Sequence, residues 1–333
     1  MIRTFANAGN RFVLSSETLE HLDSAVWIDI LRPSRDEETA IERALGIDVP
    51  TLEEMSEIEV SSRLYTEDGA TFMTAMMISN TDGDNIMLAP ITFILKGEQL
   101  ITARHTEPRS IDAFIARCQK NAAYTADGVV TGLLEGLIER IGDVLERTGH
   151  ELDVLSDNIF AIRGSGEVVA PAVTAKPARR RPRDYQSVLE QIGRKGDLLS
   201  KVRESLISFQ RLLAFAAEIA ATRKPGKEYE GRIRTLSRDV QSLSDHTGFL
   251  TQKINFLLDA TLGMINIEQT GIIKIFSVAA VVFLPPTLIA SIYGMNFEVM
   301  PELSWPYGYP MAIGMMILSA IVPYQFFKWR GWL

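Results

Sequence analysis

Two long runs without a charged residue lie close together near the C-terminal end of the sequence, at 275–293 and 306–327. Each approaches the ~20 residues that an α-helix needs to cross ~30 Å of hydrocarbon. A buried core helix is the alternative for either run, but two adjacent runs at one end of a chain rarely occur in soluble folds. The pattern predicts membrane-spanning helices at 271–293 and 307–327, joined by a loop at 294–306.

The charges around these runs predict their orientation. The loop carries Glu298 and Glu302 and has no Lys or Arg, whereas Lys274 precedes the first uncharged run and a basic tail, 328–333, follows the second. Positive charge is enriched on the cytoplasmic side of membrane proteins. Both termini are therefore expected in the cytoplasm, with the loop outside.

Composition limits what the remaining sequence can be. The chain of 333 residues has a formal net charge of −8, which argues against a general nucleic-acid binder. Its only cysteine is Cys118, so an internal disulfide and a cysteine-based zinc site are excluded. The N-terminal residues have no apolar core of signal-peptide length. A cytoplasmic, reducing location is expected for this part.

Residues 1–125 have the pattern of an α/β domain. Polar residues with glycine at 67–69 and 96–99 separate runs rich in strand-forming residues, which is typical of hairpins. The predicted strands are 26–30, 62–66, 70–78, 87–95 and 100–103, and the predicted helices are 36–45, 52–58 and 110–120.

Residues 126–270 are predicted to form a helical stalk, interrupted by a loop at 164–183 that contains Gly, Pro and an Arg run. The last helix is expected to continue from 228 to 293, roughly 100 Å at 1.5 Å per residue. A heptad line of buried positions supports it. Its members are Tyr229, Ile233, Leu236, Val240, Leu243, Thr247, Leu250, Ile254, Leu257 and Thr261.

A second line of residues follows the same helix into the first span. Asp259 lies about 200° around the helix from Leu257, so this line faces away from the heptad line. Two spans cannot enclose a polar path, because such a path needs walls on all sides. An oligomer is therefore expected. The line consists of Asp259, Leu262, Asn266, Thr270, Ile273, Ser277, Ala280, Leu284 and Thr287.

The residues at the end of the first span, Tyr293, Gly294, Met295 and Asn296, resemble the Gly-Met-Asn signature of the CorA family. The stretches 283–287, 300–303, 307–310 and 328–333 resemble the same family, and the close match covers 266–333. The resemblance implies an α+β membrane protein with a cytoplasmic α/β domain, a helical funnel and two C-terminal transmembrane helices. It also implies a homopentamer in a bacterial inner membrane that conducts hydrated Mg²⁺, with Co²⁺ and Ni²⁺ as substitutes.

The same resemblance assigns roles to particular residues. A ring of Asn296 carboxamides would accept hydrogen bonds from the water around Mg²⁺, which sheds its water reluctantly. Glu298 and Glu302 would concentrate cations at the entrance. Thr287 would add a hydroxyl ring, and Leu262, Ile273 and Leu284 would form an apolar constriction that closes by dewetting. Asp259 would bind regulatory Mg²⁺ between subunits, so the ion is both cargo and inhibitor.

Several alternatives stay open. Asn296 can simply end the helix, Thr287 can satisfy carbonyls freed by Pro285 and Pro286, and Asp259 can be a solvated acid. The candidate partners for Asp259 are Glu53, Glu54, Glu57 and Glu59, for which a solvated helix face is the preferred interpretation. The Arg179–Arg183 segment is either a solvated loop or a lipid-headgroup contact.

Other function classes are weighed against transport of Mg²⁺. An enzyme is not expected, because the sequence has no P-loop, no Gly-rich dinucleotide turn and only four scattered histidines. A Zn²⁺ transporter of the same superfamily is the rival within transport. A membrane-anchored sensor that passes no ion is the rival from another class.

Overall fold

The computed structural model describes the chain except for residues 10, 17–21, 58, 60, 81–85, 119–122, 161–184, 224–225, 296–299, 302–304 and 332–333. It divides into two compact units, Met1–Leu258 and Asp259–Leu333. A β-sheet and most of the helices lie in the first unit. The second unit contains the two apolar helical segments.

The sheet has seven strands in the order β2-β1-β3-β7-β6-β5-β4. Only the pairing of β3 with β7 is parallel; the other neighbours are antiparallel. The last five strands in chain order were predicted, but β1 and β2 were not. The strands are β1 Ile2–Ala8, β2 Arg11–Ser16, β3 Trp27–Leu31, β4 Leu64–Glu67, β5 Ala70–Ser79, β6 Met87–Lys96 and β7 Gln99–Arg104.

The predicted hairpins form at tight turns. Asp68 and Gly69 both have positive φ, 48° and 74°, between β4 and β5. That geometry belongs to the turn whose twist matches two antiparallel strands, and Asp-Gly is a preferred sequence for it. Gly97 has φ 56° in the short turn between β6 and β7.

The helices are α1 Arg35–Leu45, α2 Leu52–Met55, α3 Arg109–Cys118, α4 Ala126–Phe160, α5 Tyr185–Arg223, α6 Lys227–Tyr293 and α7 Gly308–Trp329. Capping boxes start α1 at Ser34 and α2 at Thr51. The acidic helix predicted at 52–58 is shorter, because α2 ends at Met55 with Ser56 as its C-cap. The loop predicted at 164–183, with its Arg179–Arg183 segment, lies outside the described residues.

The heptad line of α6 is buried or half-buried throughout, as the sequence predicts. A Cβ added at Gly142 of α4 would lie 3.7 Å from the Leu243 side chain of α6. A Cβ added at Gly149 would lie 3.6 Å from the Leu250 side chain. Thr131 and Arg232, also from these two helices, are hydrogen-bonded across 101 residues of sequence. Both glycine pairs have this separation too, so α4 and α6 run parallel.

Helix α5 closes one edge of the sheet. The Ser208 hydroxyl accepts a hydrogen bond from the Met76 amide at 2.7 Å, and the Ser205 hydroxyl donates one to the Met76 carbonyl at 2.7 Å. Met76 lies in β5 beyond the residues that pair with β4. The two serines therefore satisfy backbone groups that an open edge strand would leave unpaired.

A buried ion cluster lies within the sheet. Asp29 of β3 is fully buried and accepts hydrogen bonds from Arg104 at 2.9 Å, from Arg3 at 2.7 Å and from Thr102 at 2.8 Å. Burial alone raises the pKa of Asp29, but the hydrogen bonds and charge of Arg104, and then of Arg3, outweigh it and lower the pKa. The carboxylate is thus held in its charged form.

Candidate functional site

The second unit contains two helical segments that are long and apolar enough to cross a membrane. One is the C-terminal part of α6, whose side chains are mostly exposed. The other is α7, which runs two residues beyond the predicted span, so that Lys328 belongs to its last turn. Exposed aromatic residues lie before α7, where the Trp305 and Tyr307 rings are 5.8 Å apart. The segments fit hydrocarbon with aromatic residues at its boundary.

One face of α6 in this unit packs against a neighbour. Val278 is only 8% exposed, and Val282, Ile289 and Tyr293 are half-buried. Their spacing of four, seven and four residues places them on one side of the helix. Helix α7 is the other described helix of the unit, and it buries Gly308 and Ala312 on its own inner side. Each of the two apolar segments therefore has one covered side within this unit.

The opposite face of α6 is uncovered and coincides with the predicted pore line. Ala280, two residues from Val278, lies about 200° from it around the helix and is exposed. Leu284 and Ile273 expose 65% and 64% of their surface. All the predicted pore-lining positions share this exposure: Leu262, Asn266, Thr270, Ile273, Leu284 and Thr287.

One more position of α6 continues the predicted line. Ser291 lies four residues beyond Thr287, is exposed and precedes the end of the helix by two residues. The same spacing of three and four residues that defined the line reaches it. Extending the same spacing beyond Thr287 identifies the Ser291 hydroxyl from the sequence alone.

The two threonines of the line bond their own helix. Thr287 Oγ1 donates to the Phe283 carbonyl oxygen at 2.7 Å, and Thr270 Oγ1 donates to the Asn266 carbonyl oxygen at 2.8 Å. Pro285 and Pro286 lack the N–H groups that would reach the carbonyls of residues 281 and 282. Thr287 does not satisfy either of these, which corrects the interpretation that it serves the freed carbonyls.

The threonine bonds define what the side chains offer to a ligand. A hydroxyl has one proton and two lone pairs. When its proton is donated to a backbone carbonyl, the oxygen can only accept further hydrogen bonds. Both threonines therefore present hydrogen-bond acceptors on the exposed face of α6. Water molecules bound to a cation point their protons outward, so they donate hydrogen bonds to acceptors of this kind.

The described part of the motif ends the helix. The Gly294 amide donates to the carbonyls of Ala290 at 3.0 Å and Ser291 at 3.2 Å, and Met295 is exposed. A Cβ at position 294 would lie 3.1 Å from the Ala290 carbonyl oxygen, so a larger residue would be crowded there. The last carbonyls of a helix carry partial negative charge. Asn296, Glu298 and Glu302 lie outside the described residues.

Asp259 is the first residue of the second unit and is exposed. Within the described residues of one chain, no three His, Cys, Asp or Glu side chains converge on a possible metal site. Of its candidate partners, Glu54 accepts hydrogen bonds from the Thr51 amide and hydroxyl at 2.8 and 2.9 Å in the cap of α2. That role competes with metal binding.

Comparison with known proteins identifies the family. The model of the family described as CorA-like Mg²⁺ transporter protein matches residues 23–328. The chain therefore belongs to this family, whose members transport ions and are not enzymes. It is 36% identical to the magnesium transport protein CorA of Pasteurella multocida over 336 residues, covering 100% of both chains.

Solved structures extend the comparison to the fold. The complete structure of the CorA magnesium transporter from Methanocaldococcus jannaschii matches with a TM-score of 0.73 at 19% identity, covering 100% of this chain and 99% of that one. The ZntB cytoplasmic domain from Vibrio parahaemolyticus matches more distantly, with a TM-score of 0.54 at 13% identity over 79% of this chain and 97% of that domain. The predicted arrangement of a sheet domain, a long helix and two C-terminal apolar helices is confirmed.

Proposed function

We propose that the chain forms a homopentameric channel through which hydrated Mg²⁺ enters the cytoplasm. The observation that carries the proposal is the uncovered face of α6, where polar and apolar positions alternate along the pore line on the side opposite the buried Val278. A polar strip such as this is costly against lipid but suitable for a water-filled path. Copies of α6 around an axis would enclose that path, and copies of α7 would surround them.

The chemistry of the line suits a hydrated divalent cation. Mg²⁺ keeps its water, so the path must bind water protons rather than the bare ion. The acceptor oxygens of Thr270 and Thr287, the Asn296 carboxamide and the terminal carbonyls of α6 all offer such contacts. Leu262, Ile273 and Leu284 alternate with the polar positions and would close the path by dewetting.

The proposal includes direction, location and regulation. In a bacterial inner membrane with both termini cytoplasmic, an inward divalent ion gains about 4.6 kcal/mol per 100 mV, so no nucleotide is needed. Co²⁺ and Ni²⁺ would follow the same path. Cytoplasmic Mg²⁺ bound at Asp259 and a neighbouring subunit would favour the closed state, and loss of the ion would favour opening.

The test is Mg²⁺ flux into liposomes that contain the purified protein, with Co²⁺ and Zn²⁺ as competitors. Asn296→Ala is expected to abolish flux while the oligomer remains assembled, because the carboxamide that meets the hydrated ion is removed. Asn158→Ala, the same change at an exposed site of α4, is the matched control and should leave flux unchanged.

The alternatives give different results in the same assay. Normal flux in Asn296→Ala would remove this residue as the selectivity element. Flux of Zn²⁺ without flux of Mg²⁺ would favour the zinc transporter, to which the ZntB likeness contributes only a shared fold. A membrane-anchored sensor would show no flux of any ion in the wild type.

A further inference from the structure

The C-terminal end of α7 carries a cluster of aromatic side chains. Trp329 is 80% exposed and Phe326 is 49% exposed, although both are large and apolar. Their ring centroids are 6.5 Å apart, and the Phe327 ring is 5.8 Å from that of Phe326. The cluster therefore forms an exposed apolar surface where the apolar helix ends.

A guanidinium group covers this surface. The Arg330 Cζ atom lies 5.7 Å from the Phe326 ring centroid and 5.9 Å from the Trp329 ring centroid, within the range of cation–π attraction. Stacking engages the faces of the guanidinium, whereas its N–H donors lie at its edges. Attraction to the two rings thus stabilises the guanidinium beside them, and no described side-chain hydrogen bond uses the N–H donors that bind an oxyanion in a forked geometry.

The positive charge at this end has no counter-charge within the segment. Residues 308–331 contain Lys328 and Arg330 but no Asp or Glu. No described carboxylate forms an ion pair with either residue. The end of an apolar spanning helix meets the headgroup region, where anionic phospholipids supply negative charge.

We infer that Arg330, stacked on Phe326 and Trp329 and assisted by Lys328, binds the phosphate of an anionic phospholipid. Charge complementarity selects the phosphate, and the adjoining exposed rings select a lipid over a free anion, because they contact its glycerol and upper acyl chains. This site requires only that α7 spans the membrane. It is independent of the ion that passes and of the proposed pore line.

The test uses the full-length protein in detergent, titrated with phosphatidylglycerol or phosphatidylcholine in mixed micelles. Melting is monitored by intrinsic fluorescence, and the half-saturating lipid fraction is the fraction that gives half of the maximal rise in melting temperature. The wild type should respond to phosphatidylglycerol at a lower fraction than to phosphatidylcholine. Arg330→Gln should raise the half-saturating fraction of phosphatidylglycerol about fivefold, the expected effect of one basic residue near anionic headgroups.

Matched variants separate the site from general charge. Arg238→Gln makes the same charge change at an exposed position of α6 in the first unit and should leave the titration unchanged. Trp329→Leu retains both charges and should raise the half-saturating fraction of phosphatidylglycerol. This variant also tests the site if the Arg330→Gln protein does not assemble. An unchanged titration in both Arg330→Gln and Trp329→Leu overturns the proposal, as does an equal rise produced by inorganic phosphate at matched concentration.

Discussion

The two units of the chain distribute apolar side chains in opposite ways. In the first unit, Phe93 and Phe209 are completely buried, whereas Phe276 and Phe283 in the second are each 70% exposed. Water makes such exposure costly, but hydrocarbon does not. The contrast indicates that the two units are built for different solvents, although α6 is continuous between them.

Charged residues show the same contrast. Asp29 of the first unit is fully buried between two arginines, whereas Asp259 of the second is exposed. Paired burial makes a carboxylate part of the fold, and exposure leaves it available for a ligand. Four predictions test how far this distinction holds, in order of decreasing expected effect.

The first prediction concerns the buried carboxylate. Asp29→Asn should destabilise the protein by about 3–5 kcal/mol, because Arg104, which is 1% exposed, would lose its charged partner. Urea unfolding followed by tryptophan fluorescence measures the change. Asp259→Asn is the matched control and should have little effect on stability. Equal losses in the two variants would contradict the distinction between them.

The pH dependence of stability follows from the lowered pKa of Asp29. A carboxyl group whose pKa is lower in the folded state stabilises that state fully above its unfolded pKa, close to 3.8. The contribution is lost as the pH falls through the lower folded value. Acid titration of unfolding should therefore show a loss below about pH 3.8 that is absent in Asp29→Asn.

The second prediction compares the two faces of α6 with one substitution. Leu250→Ala, on the buried heptad line, should cost about 2–5 kcal/mol through lost contacts and a cavity. Leu262 lies on the pore line and is 46% exposed. Leu262→Ala should therefore lower the stability much less and should instead alter Mg²⁺ flux. Melting temperatures in detergent and liposome flux measure both effects. A comparable loss of stability at Leu262 would show that this face is packed.

The third prediction concerns regulation by the exposed carboxylate. If Mg²⁺ at Asp259 stabilises the closed state, Asp259→Asn should raise the Mg²⁺ concentration that protects the protein from limited proteolysis by at least about fivefold, the lower range of allosteric coupling. Asp239→Asn, at an exposed position of α6 in the first unit, serves as the control. Equal protection across the titration would leave Asp259 as a solvated acid.

The fourth prediction concerns the loop acids and has the smallest effect. Neutralising Glu298 and Glu302 together should weaken Mg²⁺ uptake at low ion and salt concentrations, by roughly 1 kcal/mol or less per charge. The difference in uptake between this variant and the wild type should vanish near physiological ionic strength, because charges are then screened over about 8 Å. Glu228→Gln and Glu230→Gln, exposed at the start of α6, provide the control pair. A salt-independent difference would contradict a purely concentrating role.

Local periodicity predicted much of this fold. The hairpin at Asp68-Gly69 and the heptad line of α6 depend on residues close in sequence, so a pattern read along the chain identifies them. The parallel pairing of β3 with β7 and the ion pair of Asp29 with Arg104 join residues more than 70 positions apart. No local pattern selects such partners, because they depend on which strands lie side by side in the sheet.

The candidate site was predicted to a similar extent. Helical spacing alone placed Thr270 and Thr287 on the uncovered face, but it could not reveal that each donates its hydroxyl proton to its own helix. Hydroxyl rotation depends on the local backbone and leaves no trace in the sequence. The roles of Asn296, Glu298, Glu302 and Asp259 remain predictions for the experiments above.

The closure of β5 by Ser205 and Ser208 has a consequence for biosynthesis. Met76 leaves the ribosome 129 residues before Ser205, and both precede the apolar segments of the second unit. At about 5–20 residues per second, the uncovered edge of β5 waits roughly 6–26 s for its partner. During this interval a nascent chain can pair with a neighbouring one through that edge. Ser205→Ala would remove the donor to the Met76 carbonyl, so this group would stay open to such pairing after α5 is made.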